Sequence, residues 1–239
     1  MQIQYIGHSG FWVEVDGIYM LFDYYYGKLP ILPEGSRIYV FASHSHADHF
    51  NPEIFGLAEK YDVIYILSYD IKLNAYKRQK YGITEALSEQ IVSVRYEEDR
   101  QIGDLRVRAY QSTDAGVAFL VSLYGKNIYH AGDHNWWHWM GESKQYNNNM
   151  AANYKRGISR LIQAEQHIDV AFIPLDSRLG ESYGYGMRYF LENVCADHVF
   201  PMHFGKDFAC RDRFIEEYND LNAEQKLLGI EYEGEAWSF

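Results

Sequence analysis

A four-layer α/β sandwich, helix–sheet–sheet–helix (αββα), is the fold class this chain predicts, on three observations. Short apolar strands punctuated by glycine fill the first third, the same grammar returns in the second half, and each β-rich half is flanked by segments of helical spacing. A sheet has two faces to cover, so two β-rich halves with helices beside them are expected to stack with the helices on their outer faces. The length of 239 residues suits one domain, and residues 1–239 are expected to form it. Folding a chain of this size hides roughly 70–75% of its surface, which gives a large core without a disulfide framework.

Taken in order, Ile3–Ile6 reads as a strand, and Phe11–Val15 and Ile18–Phe22 form a hairpin about the two-residue turn Asp16–Gly17. Arg37–Phe41 is a further apolar strand that empties into the loop Ala42–Phe50. Pro52 then stands where a first helical residue would, ahead of a helix over Glu53–Tyr61. Val63–Leu67 restarts the β pattern, and Asp70–Tyr81 is polar and helical, with Gly82 as its stop. Leu105–Tyr110, Val117–Leu123 and Asn127–His130 are strands, followed by the loop Ala131–Gly141. Met150, Tyr154, Ile158, Leu161 and Ile162 recur at three- and four-residue spacing, the mark of an amphipathic helix running to about His167. Val170–Pro174 and His198–Met202 are buried strands ending at polar residues, and Phe208–Asn219 is helical.

The balance of 22 basic against 33 acidic residues gives a net charge of −11, which repels polyanions within a Debye length. No Lys/Arg run supplies a local basic groove, so no nucleic-acid partner is expected. Cys195 and Cys210 lack C-x-x-C spacing and are expected as two packed, reduced thiols. Met1–Tyr5 has no basic n-region, and Gly7, His8, Ser9 and Gly10 break any apolar h-region. The apolar runs fall far short of the ~20 residues a membrane span needs. A cytoplasmic protein with no membrane association is expected, and homo-oligomerisation stays open.

The residues that carry chemistry begin at His44-Ser45-His46-Ala47-Asp48-His49, placed just after the strand Arg37–Phe41. In an extended loop alternate residues share a face, so His44 and His46 can present imidazoles to one cation. Asp48 and His49 fall past the turn and can serve a second. Imidazole and carboxylate suit Zn²⁺, Mn²⁺ or Fe²⁺, and two such ions can hold a bridging hydroxide for attack.

This segment resembles the H-x-H-x-D-H signature of the metallo-β-lactamase-fold hydrolases. Tyr5–Gly10, Leu21–Asp23, Ile128–Asp133 and Val199–Gly205 are similar to the branch holding the L-ascorbate-6-phosphate lactonase-like proteins, so the resemblance covers essentially the whole chain. It implies the metallo-β-lactamase fold, with Asp133 as a carboxylate bridging two metals and His203 completing the second metal's set with Asp48 and His49. Asp133 and His203 each follow an apolar strand end, where loops collect at a sheet rim.

One departure stands out. The family supplies a third histidine to the first metal before the strand corresponding to Val117–Leu123, yet no histidine lies between His49 and His130. Asp114 stands at that place. Either it replaces the imidazole with a harder oxygen ligand, favouring Mn²⁺ or Fe²⁺, or it is a turn residue before Gly116 and one metal suffices. His8 and His134 are candidates for lining the site, and Trp136 and Trp137 offer broad apolar faces to a substrate. Arg178 and Lys206, just past strand ends, can clamp a phosphate or carboxylate. His130, His138, His167 and His198 are expected to be structural or exposed.

The resulting expectation is a metal-dependent hydrolase whose metal-bound hydroxide attacks an ester or lactone in a small anionic metabolite, with Asp48 orienting the hydroxide and receiving its proton. A phosphodiesterase is the alternative within the enzyme class, and a metal-binding pseudoenzyme that senses a ligand is the alternative outside it.

Overall fold

The computed structural model describes residues 1–165 and 167–239. Its elements are β1 (Gln2–Gly7), β2 (Gly10–Val15), β3 (Ile18–Phe22), β4 (Arg37–Ala42), β5 (Asp62–Ser68), α1 (Ala75–Lys80), α2 (Glu85–Glu89), β6 (Ile91–Val94) and β7 (Asp99–Ile102). They continue as β8 (Leu105–Gln111), β9 (Val117–Leu123), β10 (Lys126–His130), α3 (Lys144–Ala164), β11 (Ile168–Pro174), α4 (Tyr185–Asn193), β12 (Ala196–Met202), α5 (Cys210–Glu217) and β13 (Ala236–Ser238). The chain divides into two compact units, Met1–Arg95 with Glu233–Phe239, and Tyr96–Tyr232.

The first unit holds a seven-stranded sheet in the order β13-β1-β2-β3-β4-β5-β6. β13, β1, β2 and β3 pair antiparallel, and β3 to β6 run parallel. The β2–β3 turn carries positive φ at both Asp16 (48°) and Gly17 (82°), the type I′ geometry that matches strand twist and that only small or Asx residues adopt readily. Ile38, Val40 and Ala42 of β4 and Val63, Tyr65 and Leu67 of β5 share one face, packed with Ile54, Phe55, Ile71 and Ile83.

Two helices expected here come out differently. Pro52–Glu59 is a 3₁₀ segment capped by Asn51, whose side chain accepts from Glu53 N. The buried Tyr65 hydroxyl bonds the carbonyl oxygens of Ile54 and Phe55, drawing them toward the sheet and away from α-helical partners. The polar stretch Asp70–Tyr81 is helical only over α1, because Asn74 caps it by accepting from Lys77 N. Asp70 accepts from Ser45 N in the His44–His49 loop instead.

The second unit holds a six-stranded sheet in the order β12-β11-β10-β9-β8-β7. β7 to β10 form an antiparallel meander, and β10, β11 and β12 run parallel. β11 is buried throughout, as a parallel strand covered on both faces must be. α3 begins earlier than the apolar spacing predicts because Ser143 caps it, accepting from Tyr146 N. Gln166, which the spacing assigns to the end of that helix, lies outside the described residues. α4 was not expected from the sequence, since its buried Gly186, Met187 and Phe190 give little apolar periodicity. Both cysteines are free, and Cys210 is buried as expected, whereas Cys195 is exposed. Among the described residues no helix is long and apolar enough to cross a membrane.

Candidate metal centre

In the first unit, the polar residues gather where parallel strands end. β4 runs into Ser43 and His44, and β3 into Asp23, all buried. The His44–His49 segment does not stay extended: His49 N and Phe50 N both bond back to His46 O, at 3.1 and 2.9 Å. That turn folds His49 against His44, ring centroids 4.1 Å apart. His44 Nε2 and His46 Nδ1 lie 2.9 Å apart, so these two imidazoles do share a face.

Asp23 organises the group. Its Oδ1 accepts from Ser43 N at 2.7 Å, and its Oδ2 accepts from Ser43 Oγ at 2.6 Å and lies 2.7 Å from His49 Nδ1. Ser43 Oγ lies 3.0 Å from His44 Nδ1 in turn. Asp48 sits half-buried with Oδ2 3.3 Å from His8 Nε2. The hydrogen bond with His8, together with the neighbouring His49, holds the Asp48 carboxyl well below the usual carboxylate range against the opposing effect of burial.

In the second unit, Asp133, Asp176 and His203 stand within three residues after the ends of β10, β11 and β12. His203 Nδ1 lies 3.0 Å from Asp176 Oδ2, and His203 Nε2 lies 3.4 Å from Asp133 Oδ1. Burial works to raise the Asp176 pKa, but the hydrogen bonds from His203 and Arg178 outweigh it and pull it down to about 2. Arg178 turns its Nε and Nη2 onto Asp176, so the fork expected to clamp a substrate anion is engaged within the chain. Lys206 is exposed three residues beyond His203.

The loop carrying Asp133 is held from several directions. Trp137 Nε1 donates to Asp133 O at 2.9 Å, and Thr113 Oγ1 accepts from Asn135 N and donates to Asn135 O, at 2.9 and 2.7 Å. Asn147 brackets Trp139 N and O. The two tryptophans expected to line one site diverge. Trp137 is buried with its ring 5.6 Å from His203, while Trp136 turns to Tyr185 and Tyr189 of α4. His134 is buried under α3, where burial pushes its imidazole down to about 4. Asp114 is exposed on the loop after β8 and, with Thr113, Asn153, Arg156 and Arg160, lines a cavity of about 200 Å³.

Asp23, Asp176 and Thr113 were not anticipated as working residues. A signal for the two carboxylates existed, since each follows an apolar strand just as Asp133 and His203 do. Three of the described non-glycine residues with positive φ are His8 (55°), Asp23 (43°) and His203 (63°), conformations that cost energy and concentrate at sites of function.

The donor chemistry fits divalent metal. A ligating histidine characteristically has its second nitrogen tied to an oxygen partner, which fixes the ring and leaves the other nitrogen to coordinate. His49 on Asp23, His203 on Asp176 and His44 on Ser43 all follow that pattern through Nδ1.

Known proteins share this arrangement of elements. Over 98% of its length the chain is 28% identical to the UPF0173 metal-dependent hydrolase of Methanospirillum hungatei, covering 99% of that protein. Among solved structures, Igni18, a metallo hydrolase from Ignicoccus hospitalis, superposes with a TM-score of 0.65 at 17% identity, over 100% of this chain and 98% of that one. CmlA, a diiron β-hydroxylase from Streptomyces venezuelae, gives 0.68 at 13% identity over 100% of this chain and 54% of its own. At these identities the structural likenesses establish the metallo-β-lactamase fold. The model of the beta-lactamase superfamily domain matches residues 2–140, more than half of the sequence, and the chain therefore belongs to the β-lactamase superfamily.

Proposed function

We propose that this metal-dependent hydrolase cleaves an ester or lactone bond in a small anionic metabolite. Its metal donors are His44, His46, Asp48 and His49 of the first unit and Asp133 and His203 of the second. The observation that carries the reading is the oxygen-tied Nδ1 of His44, His49 and His203, each ring fixed for coordination through Nε2. A divalent metal supplies a Lewis acid for the scissile carbonyl and makes water acidic enough to attack near neutral pH.

The chain's own groups do the rest. Asp48 stays ionised and orients the attacking water. His8, whose Nε2 lies 3.3 Å from the Asp48 carboxylate, holds it in that orientation. Asp23 and Asp176 keep the histidine rings in place. Lys206, exposed beyond His203, offers a positive point charge to the substrate. The ester or lactone assignment rests on the resemblance of Tyr5–Gly10 and Val199–Gly205 to the lactonase-like branch.

Elemental analysis of the purified protein, coupled to a screen of lactone, thioester, phosphomonoester and phosphodiester substrates, tests this. Bound divalent metal with lactone or ester turnover is expected. Turnover of phosphodiesters alone gives the site to the alternative chemistry, and metal without turnover of any class makes the protein a sensor.

A further inference from the structure

At the opposite end of the second unit's parallel strands from Asp176 and His203 lies an arrangement the hydrolase reading does not use. The β11–β12 register pairs Ile168 with Ala196, and Ile168 N bonds Cys195 O at 2.9 Å. His167 and Cys195 are thereby held side by side just ahead of their strands. His167 Nδ1 lies 3.6 Å from Cys195 Sγ, and His167 Nε2 lies 3.1 Å from Asp197 Oδ2. The three side chains are solvent-exposed. β11 spans seven residues, so this group stands ~20 Å from the strand ends that carry Asp176 and His203.

A thiol against one imidazole nitrogen, with a carboxylate on the other, is the arrangement that activates a cysteine. The base takes the S–H proton and the carboxylate stabilises the imidazolium that forms. Among the described residues, Asp169, Lys126 and His198 also carry charged or titratable groups at this strand end. The Asp169 carboxylate is occupied by Lys126 Nζ at 2.7 Å and Asn127 N at 2.8 Å, so Asp197 is the carboxylate on His167. His198 faces Asp197, Asp169 and Lys126.

We propose that Cys195, His167 and Asp197 form a reactive-thiol site that takes low-molecular-weight disulfides, leaving a mixed disulfide on Cys195. His167 Nδ1 accepts the thiol proton, and Cys195 Sγ attacks one sulfur of the disulfide. The S–S bond breaks, and its electron pair leaves on the other sulfur, which takes the proton from His167. Cys195 is oxidised to the disulfide level as the leaving sulfur is reduced to a thiol. Asp197 is a positioning residue here. Cys210 is excluded, being 1% exposed with its thiol pushed up to about 12 by burial and then by Asp207.

Glutathione disulfide and intact-mass detection of the adduct on the full-length protein test this. Wild type should form the adduct several-fold faster than His167→Gln near pH 7, because only wild type has an imidazole in place to take the S–H proton, and the two rates should converge as pH rises and hydroxide takes over that role. Asp197→Asn should lower the rate near pH 7 in the same direction, and Cys195→Ser should take up no adduct. An adduct on Cys210, or equal rates for wild type and both variants near pH 7, overturns the proposal.

Discussion

Gly157 of α3 separates two opposed effects by sign. A glycine inside a helix costs about 1 kcal/mol relative to alanine, so on propensity alone Gly157→Ala should stabilise the protein. A Cβ at this position would, however, sit 2.3 Å from His134 Cε1 and Nε2, where ordinary contact is 3.4–4 Å, so the imidazole would have to move by more than an ångström. It has little room. His134 is 2% exposed, its ring packs 4.9 Å from Tyr154, and its backbone is held between His134 N bonded to Ala131 O and Asn135 clamped by Thr113. Overpacking of a tight site costs about 1–3 kcal/mol. The clash therefore outweighs propensity, with an expected net loss of about 1 kcal/mol and a fall of ~2–4 °C in melting temperature for a chain of this length. Urea midpoints of the chelator-treated protein measure this without metal linkage masking it. In a His134→Ala background the same substitution meets no imidazole and should stabilise, giving a coupling of about 1–3 kcal/mol in the double-mutant cycle. A rise in midpoint for Gly157→Ala in the wild-type background would refute the packing argument.

Asp176→Asn should lower metal affinity by ~10–100-fold, because the carboxylate that fixes the His203 ring is lost while the ring itself remains. Competition titration against a chromophoric chelator measures it, and unchanged affinity removes Asp176 from that role. If Asp114 is a ligand, Asp114→Asn should lower metal content and Asp114→His should raise preference for zinc over manganese. Elemental analysis unchanged in both variants makes Asp114 a turn residue. Cys210 gives a pH dependence. Burial pushes its folded pKa up to about 12 from an ordinary 9.0, so its contribution is complete below about pH 9 and is lost as pH rises toward 12, at up to ~1.4 kcal/mol per unit. The stability gap between wild type and Cys210→Ala should therefore narrow above about pH 9, and a constant gap shows that the thiol does not titrate as the fold requires.

The local signals were sufficient wherever a short-range rule decides the outcome. The Asp16–Gly17 hairpin follows from two residues that accept positive φ, and most of the β strands follow from apolar runs bounded by turn residues. The proposed donors His44, His46, Asp48 and His49 were legible because they are packed into six consecutive positions. What the sequence left open depends on groups distant along the chain. Pro52–Glu59 became a 3₁₀ segment because Tyr65, on the next strand, takes two of its carbonyl oxygens, and no window over residues 53–61 contains that donor. α4 stayed hidden because its buried face holds only Gly186, Met187 and Phe190, too short an apolar pattern to read as a helix. Asp23 and Asp176 look like ordinary loop carboxylates until strands β3 and β11 bring them under His49 and His203, and the partner of His167 emerges only when the β11–β12 register sets Cys195 beside it. Residue identity supplies the chemistry, but which nitrogen of a histidine is tied and which is left to act is fixed by strand pairing, a property of the folded sheet and of no single segment.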